Sequence, residues 1–115
     1  MKVSDIKKQI EIILDNNKAK NIVSINLKKK SYIADYMIIA SGTSSRHLQS
    51  LSENLASELK KIGITNCRIE GKESPDWKLV DVIDIIVHIF NPEKREFYDL
   101  EKMWSEPTPK EKVSI

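Results

Sequence analysis

Four residues near the middle of the chain, Gly42-Thr43-Ser44-Ser45, have the composition of a phosphate-binding turn. They stand between an apolar run predicted to be a strand and a segment with helical periodicity. Such a turn directs backbone N–H groups and hydroxyls toward an anion at a helix N-terminus. However, the stretch lacks the second glycine and the lysine of a P-loop. A simpler turn, in which Thr43 or Ser44 caps the helix, is the favoured interpretation.

Asp81 and Asp84 are the close pair of aspartates near predicted strands. Nucleotidyl transfer needs two carboxylates held together around Mg²⁺. On one straight strand these two side chains would point to opposite faces, and across a turn at Val82-Ile83 they would face and repel each other. An acidic pair that ends a turn or faces a partner is therefore favoured over a metal site. A nucleotide-binding enzyme of the nucleotidyltransferase type is kept as the alternative hypothesis.

The serines and histidines do not form a recognisable catalytic motif. Ser44, Ser45 and His47 lack the G-x-S-x-G turn of a nucleophile elbow, and His47 is predicted to lie on a helix surface. His88 alternates with apolar neighbours in the stretch IIVHIF, which predicts a structural role with one hydrogen-bond partner. The single cysteine, Cys67, cannot form an intrachain disulfide or complete a CxxC pair. No catalytic residue, metal or cofactor is predicted.

Composition indicates one globular domain in a reducing compartment. The chain has 115 residues, 40% of them hydrophobic and 31% charged. It has neither a signal-like N-terminus nor an apolar run of the roughly 18 residues that a membrane helix needs. The expected location is the cytoplasm, without a membrane partner.

The charge is unevenly distributed along the chain. Residues 1–50 carry nine Lys and Arg against four Asp and Glu, and residues 51–115 carry ten against thirteen. The resulting net charges of +5 and −3 give a total of only +2, which is too small for a protein that coats nucleic acid through phosphate contacts alone. The acidic half could face a basic partner, although an evenly solvated surface would give the same counts.

The first half of the chain predicts two helices and two strands. Ser4 can cap a helix that ends near Asn16-Asn17, and residues 22–27 form a strand with Val23, Ile25 and Leu27 on the core side. Residues 36–40 are apolar throughout, which is typical of a strand near the middle of a sheet. A longer helix follows, with an apolar stripe at residues 48, 51, 55, 59 and 62 and Gly63 beyond its end.

The second half predicts three strands and a final helix. The strands are residues 67–70, 77–82 and 84–90, with the last two in a hairpin, and Pro92 can open a helical segment that holds Phe97, Tyr98, Leu100 and Trp104. The order α-β-β-α-β-β-β-α indicates an α/β (α+β) fold with a mixed sheet of about five strands and packed helices. Residues 1–105 form the predicted domain and residues 106–115 a flexible tail.

Trp77 begins its predicted strand directly after the polar loop 71–76. A tryptophan at the rim of a sheet, close to the apolar Leu79, has the composition of a binding hot spot, in which one aromatic anchor can contribute about 2 kcal/mol or more. Packing of Trp77 in the core at the start of the strand is an equally good interpretation.

Taken together and in order, several short motifs resemble the ribosomal silencing factor family, also called RsfS or Iojap. They are DYMIIASGTSSR at 35–46, Glu70-Gly71, Asp76-Trp77, Asp81 and Asp84 followed by VHIF at 87–90, and REFYDLEKMW at 95–104. The resemblance covers roughly residues 4–105. It implies a nucleotidyltransferase-like mixed sheet without transferase activity, so that the protein would not be an enzyme.

The resemblance also implies a function. Members of this family bind the fourteenth protein of the large ribosomal subunit, prevent the small subunit from docking, and so repress translation when nutrients are limiting. Contact with ribosomal RNA would be peripheral at most, and the resemblance leaves open a homodimer away from the ribosome. The partner-binding residues expected from motif position and residue type are Trp77, Leu79, Asp81, Asp84 and Tyr98, with Lys78 and Arg95 as further candidates.

One departure from the family pattern concerns the predicted hairpin. The family usually has glycine immediately before the second aspartate, and this chain has Ile83. A turn that needs positive φ therefore becomes less favourable, and we expect the hairpin to be bulged or continuous at this point.

Overall fold

The fold is a mixed sheet with two long helices packed on one face. The computed structural model describes residues 2–29, 34–98 and 110–112, with side chains outside the description at 96–98 and 110–112. Along the chain the elements are α1 Val3–Asn16, β1 Lys20–Asn26, β2 Tyr36–Ser41, α2 Ser45–Lys61, β3 Cys67–Glu70, β4 Trp77–Val82, β5 Ile85–Phe90, α3 Pro92–Tyr98 and β6 Lys110–Lys112. The predicted order α-β-β-α-β-β-β-α is confirmed, and β6 is added after it.

The sheet has the strand order β3-β4-β5-β2-β1-β6. Its central pair, β2 and β5, is parallel, and the other neighbouring pairs are antiparallel. The sheet is therefore mixed, as predicted, and β2 lies in its interior as its apolar sequence indicated. This topology is consistent with a nucleotidyltransferase-like fold, which stays a prediction.

Apolar side chains cover both faces of the central strands. The inner face packs against α1 and α2, and its core includes Ile10, Leu14, Ile38, Leu55 and Val87. A second cluster on the outer face contains residues 23, 25, 27, 37, 39 and 90. The prediction that only one side of β1 faces a core was wrong, because Ile22 and Ser24 on the other side face the helices and are also buried.

The helix ends follow local capping chemistry. The Ser44 side chain accepts a hydrogen bond of 3.0 Å from the backbone N–H of His47, which makes it the N-cap of α2. Gly63 has a φ of +93° just past the C-cap, as predicted for a C′ glycine. Two expectations were wrong: α1 begins at Val3, so that Ser4 lies inside its first turn, and Ile62 is 42% exposed rather than part of the buried stripe.

The hairpin between β4 and β5 turns through Ile83 and Asp84. Val82 pairs with Ile85, so the loop has two residues, and the expectation of a bulged or continuous hairpin was wrong. Ile83 adopts a φ of +53° at the first loop position, where glycine is the usual residue. A β-branched residue at positive φ is sterically strained. Ile83 also exposes 53% of its surface.

Replacing Ile83 with glycine is expected to raise the free energy of unfolding. The reference is Ile83→Ala, which removes the same exposed side chain but keeps the Cβ atom that makes positive φ unfavourable. We expect the glycine variant to exceed the alanine variant by about 1 kcal/mol in urea denaturation, since relief of strain outweighs the greater flexibility of unfolded glycine. Equal stabilities would show that Ile83 is not strained.

The C-terminal part of the chain is described only in part. α3 starts at Pro92 as predicted, and Asn91 caps it by accepting a 2.8 Å hydrogen bond from the backbone N–H of Lys94. The side chains of Tyr98 and Trp104, which the sequence puts in this helical segment, lie outside the described residues. Within the predicted tail, Lys110–Lys112 pairs with β1, a strand that the sequence did not indicate. The expectation of a flexible tail at 106–115 otherwise stays a prediction.

Candidate partner-binding surface

Five half-buried side chains form a strip on the outer face of β4 and β5. Odd-numbered residues of β4 and even-numbered residues of β5 point to this face, because side chains alternate along a strand. The cross-strand pairs Leu79–His88 and Asp81–Ile86 lie side by side, and Trp77 pairs with Phe90 at one end. We call Trp77, Leu79, Asp81, Ile86 and His88 the outer β4–β5 surface.

Trp77 is the largest side chain of this surface, and its ring is held by a hydrogen bond. The indole Nε1–H donates to Nδ1 of His88 over 3.3 Å. His88 in turn stacks on Phe90, with ring centroids 5.7 Å apart and planes inclined by 2°. Because Nδ1 accepts a hydrogen bond from the indole N–H, His88 is neutral and carries its own proton on Nε2. The one hydrogen-bond partner predicted for His88 is thus the indole of Trp77.

Burial lowers the pKa of His88 from its usual value of 6.5 to about 4. His88 therefore binds a proton less readily in the folded protein than in the unfolded chain. As a result, the free energy of unfolding falls as the pH decreases from about 6.5 to about 4. We expect a loss of about 2–3 kcal/mol over this range. Urea denaturation at several pH values measures it, and His88→Gln, which retains an acceptor but does not titrate, should lose less. Parallel curves for the two proteins would contradict the assignment.

Lys78 lies on the opposite face of β4 from Trp77 and is only 2% exposed. Its Nζ donates to the carbonyl oxygens of Gly71, Lys72 and Ser74, each over 2.8 Å. The three ammonium protons are thereby matched by three acceptors. The part of Lys78 in partner binding stays a prediction, but its position in the strand directs the side chain inward, where it fixes the loop before β4.

The two aspartates occupy different positions at the end of the hairpin. Asp81 is on the outer β4–β5 surface beside Arg68 of β3, and Asp84 is exposed in the turn. Their backbone positions do not face each other across the hairpin, because Asp81 pairs with Ile86. Among the residues that the structure describes, no three His, Cys, Asp or Glu side chains are grouped to hold a metal ion.

Cys67 is a poor candidate for a nucleophile. Burial, together with the negative charge of Asp81, raises the pKa of its thiol. The reactive thiolate is therefore less populated than in a free cysteine.

Arg95 and Tyr98 both belong to α3. The guanidinium of Arg95 donates from Nη1 to Oγ of Ser41 over 2.9 Å, which joins α3 to the end of β2. This contact gives Arg95 a structural role, and its part in partner binding stays a prediction. The backbone of Tyr98 ends α3, and its side chain lies outside the described residues.

Several polar groups of the Gly42–Ser45 turn are used in hydrogen bonds within the protein. The backbone N–H of Thr43 donates to Nδ1 of His47 over 2.9 Å, so Nε2–H of His47 donates to the carbonyl oxygen of Asn17, also over 2.9 Å. Gly42 packs against α2, where an added Cβ would lie 2.6 Å from Cδ2 of Leu48. These contacts favour the interpretation of a capped turn over that of a phosphate site. His47 was predicted to lie on the helix surface. Its side chain is half-buried, and its ring links α2 to the end of α1.

Sequence reasoning missed three contributors to this surface. Ile86 extends the outer β4–β5 surface, Ile83 exposes an apolar side chain at its end, and Gly71 contacts Trp77 from the preceding loop. The alternation in IIVHIF carried a signal for Ile86, since it places Ile86 on the same side as His88. No local pattern indicated the contact of Gly71 with an indole six residues away.

An α+β domain that presents an oriented tryptophan beside apolar and acidic neighbours has the features of a protein-binding domain rather than those of a catalytic site. No helix in the described part of the chain is long and apolar enough to cross a membrane.

Comparison with known proteins agrees with this class and specifies the family. The family model described as ribosomal silencing factor during starvation matches residues 2–115. The protein therefore belongs to the ribosomal silencing factor (RsfS) family.

Individual relatives are similar over most of the chain. The ribosomal silencing factor RsfS of Zymomonas mobilis is 48% identical over 91 residues, which are 79% of this chain and 68% of that protein. The mouse protein named mitochondrial assembly of ribosomal large subunit protein 1 is 35% identical over 88% of this chain and 45% of its own length. A crystal structure of a Chromobacterium violaceum protein is 33% identical and superposes with a TM-score of 0.87, covering 91% of this chain and 88% of that one.

Proposed function

We propose that this protein is a non-enzymatic regulator of translation that acts in the cytoplasm. It binds the large ribosomal subunit through the fourteenth large-subunit protein and prevents the small subunit from joining when nutrients are limiting. The observation that carries the proposal is the outer β4–β5 surface, where Trp77 lies beside Leu79 with acidic residues at the far end. The family description and the name of the mouse relative, which specifies the large ribosomal subunit, support it.

The charges at the end of this surface indicate a basic partner. Asp84 is exposed in the hairpin turn, and Asp35 lies next to it, since its backbone N–H donates to the carbonyl oxygen of Asp84 over 2.7 Å. Together with Asp81 they put three acidic residues at or next to the end of the hairpin that carries the exposed Ile83. Complementary charges accelerate association and select the partner, and ribosomal proteins commonly supply positive charge. The low total charge of +2 leaves at most a peripheral contact with ribosomal RNA.

Inhibition requires only that the bound domain occupy space. The molecule measures 34 × 34 × 25 Å. A domain of this size bound at the joining face blocks docking of the small subunit sterically, without any chemical step. A standard interface of about 800 Å² per partner with one aromatic anchor is compatible with nanomolar affinity, about −12 kcal/mol. The effect on translation then follows from occupancy of the large subunit.

Sedimentation tests this function directly. The protein is incubated with separated ribosomal subunits and resolved on a sucrose gradient, and we expect it to cofractionate with the large subunit. Adding small subunits at a magnesium concentration that supports joining should then give fewer complete ribosomes than in a control without the protein. Cofractionation with the small subunit, or with neither subunit, would refute the proposal.

Competition identifies the particular partner. An excess of the isolated fourteenth protein should remove this protein from the large subunit, and an equally basic large-subunit protein serves as the control for charge. Release by both competitors alike would mean that binding is electrostatic and not specific. Light scattering of the free protein tests the homodimer that the resemblance leaves open.

A further inference from the structure

Trp77 is packed against a backbone that has no side chain. A Cβ atom added at Gly71 would lie 2.7 Å from Cε3 of the indole and 2.8 Å from both Cζ3 and the backbone carbonyl oxygen of Trp77. Real Cβ atoms do not approach so closely, so a larger residue at 71 would displace the Trp77 ring together with the backbone that carries it. Gly71 also has a φ of +77°, which side-chain-bearing residues rarely adopt. The indole therefore lies in a position that only glycine at 71 permits.

The loop that carries Gly71 is fixed from the other side of the sheet. Lys78 follows Trp77 in the chain and points to the opposite face, where its ammonium group binds three carbonyl oxygens of the loop, including that of Gly71. The loop is also tied at its end, because Nδ2 of Asn91 donates to Oδ1 of Asp76 over 2.6 Å. Gly71 is thus held in place independently of the indole.

These contacts meet at the aromatic ring. Gly71 lies against the six-membered ring of the indole and leaves it no room to move in that direction. His88 accepts a hydrogen bond from Nε1 of the five-membered ring. A side chain bounded in this way has few rotamers left to lose when a partner binds, and such preorganisation increases affinity.

We propose that Gly71, Lys78 and His88 are positioning residues, which set the Trp77 indole in its binding orientation before the partner arrives. This inference rests on the proposed function, since it assumes that Trp77 contacts the large subunit. It extends that function by assigning roles to a glycine, a buried lysine and a histidine that do not themselves need to touch the partner.

Gly71→Ala, compared with Gly63→Ala, tests the proposal. Both glycines have positive φ, +77° and +93°, but an added Cβ at Gly63 meets no atom within 4 Å. The two variants therefore share the backbone strain and differ in the clash with Trp77. We expect Gly71→Ala to weaken large-subunit binding about tenfold or more and Gly63→Ala to leave it within about twofold. Equal losses, or wild-type affinity for Gly71→Ala, would overturn the proposal.

A double-mutant cycle separates positioning from other effects. If Gly71 acts through the indole, Gly71→Ala should cause a much smaller loss of affinity in a Trp77→Ala protein, where only the clash with the backbone oxygen of residue 77 remains. A loss of the same size in both backgrounds would refute the role. Thermal unfolding of each variant verifies that the measured protein is folded at the assay temperature.

A measurement on the free protein tests this inference separately from the proposed function. NMR relaxation of the Trp77 indole N–H should show a rigid ring in the wild type and greater ring motion in Lys78→Met, which keeps the aliphatic stem but lacks the ammonium group. An equally rigid indole in Lys78→Met would refute the role of Lys78. Absence of large-subunit binding by a wild type with a rigid indole would refute the proposed function instead.

Discussion

Trp77→Ala is expected to weaken binding to the large ribosomal subunit by about 30- to 1,000-fold, or about 2–4 kcal/mol. The loss is large because truncation removes the main aromatic contact and also leaves Nδ1 of His88 without its donor. Trp77→Phe should have an intermediate effect, since phenylalanine fills much of the same space but lacks the indole N–H. Equilibrium binding of labelled protein to purified large subunits measures all three affinities.

The matched control is Ile12→Ala. Ile12 is an exposed apolar residue, 37% accessible, on α1, which packs against the other face of the sheet. Its truncation removes a similar kind of surface away from the proposed interface, so binding should not change. If Trp77→Ala and Ile12→Ala bind alike, the outer β4–β5 surface is not the interface, although a preference for the large subunit would stand. Denaturation curves show whether either variant has lost its fold.

Glu11→Ala is expected to lower the free energy of unfolding by about 3 kcal/mol. Oε2 of Glu11 lies 3.2 Å from Nζ of Lys7 and accepts a hydrogen bond of 2.6 Å from Oγ of Ser24. All three residues are buried between α1 and β1. Removing the carboxylate takes a negative charge away from a buried ammonium and an acceptor away from a buried hydroxyl, and neither loss is compensated by water as it would be at the surface.

An exposed ion pair supplies the control for Glu11. Nζ of Lys61 lies 3.0 Å from Oε1 of Glu58, and the two side chains are 67% and 46% exposed. Glu58→Ala should change stability by less than about 0.5 kcal/mol, because solvent screens such pairs. Glu11→Gln, which keeps an acceptor for Ser24 but no charge, should fall between the two. If Glu11→Ala costs no more than Glu58→Ala in urea denaturation, the buried pair contributes little to stability.

Much of the fold could be predicted from sequence because its signals are local. The leucine spacing of α2, its Ser44 cap and the positive φ of Gly63 all depend on residues within one or two helical turns of each other. The apolar run of β2 indicated a central strand, and the structure places it there. The errors at the start of α1 and at the helix-facing side of β1 arose where several polar residues in one turn, or buried residues on two faces, made the local signal ambiguous.

The candidate site could be predicted only by residue type and by resemblance. Trp77, Leu79 and Asp81 lie on one face because strand alternation puts them there, and this was open to prediction. The same alternation sends Lys78 inward, where it binds three backbone carbonyls. The tight turn at Ile83 was not predicted because local propensity disfavours it, and the pairing of β4 with β5 overrides that preference.

The sequence by itself determined the order of the first eight elements, the family, and the face of β4 that Trp77, Leu79 and Asp81 share, since each is written in spacing, pattern and ordered motifs. Only the tertiary structure decided that Gly71 and His88 contact the Trp77 indole and that Lys78 fixes the loop that carries Gly71. The physical reason is that these contacts join residues from different strands and a loop. They are selected by packing and hydrogen-bond satisfaction in the folded molecule, and no period or local propensity along the chain encodes them.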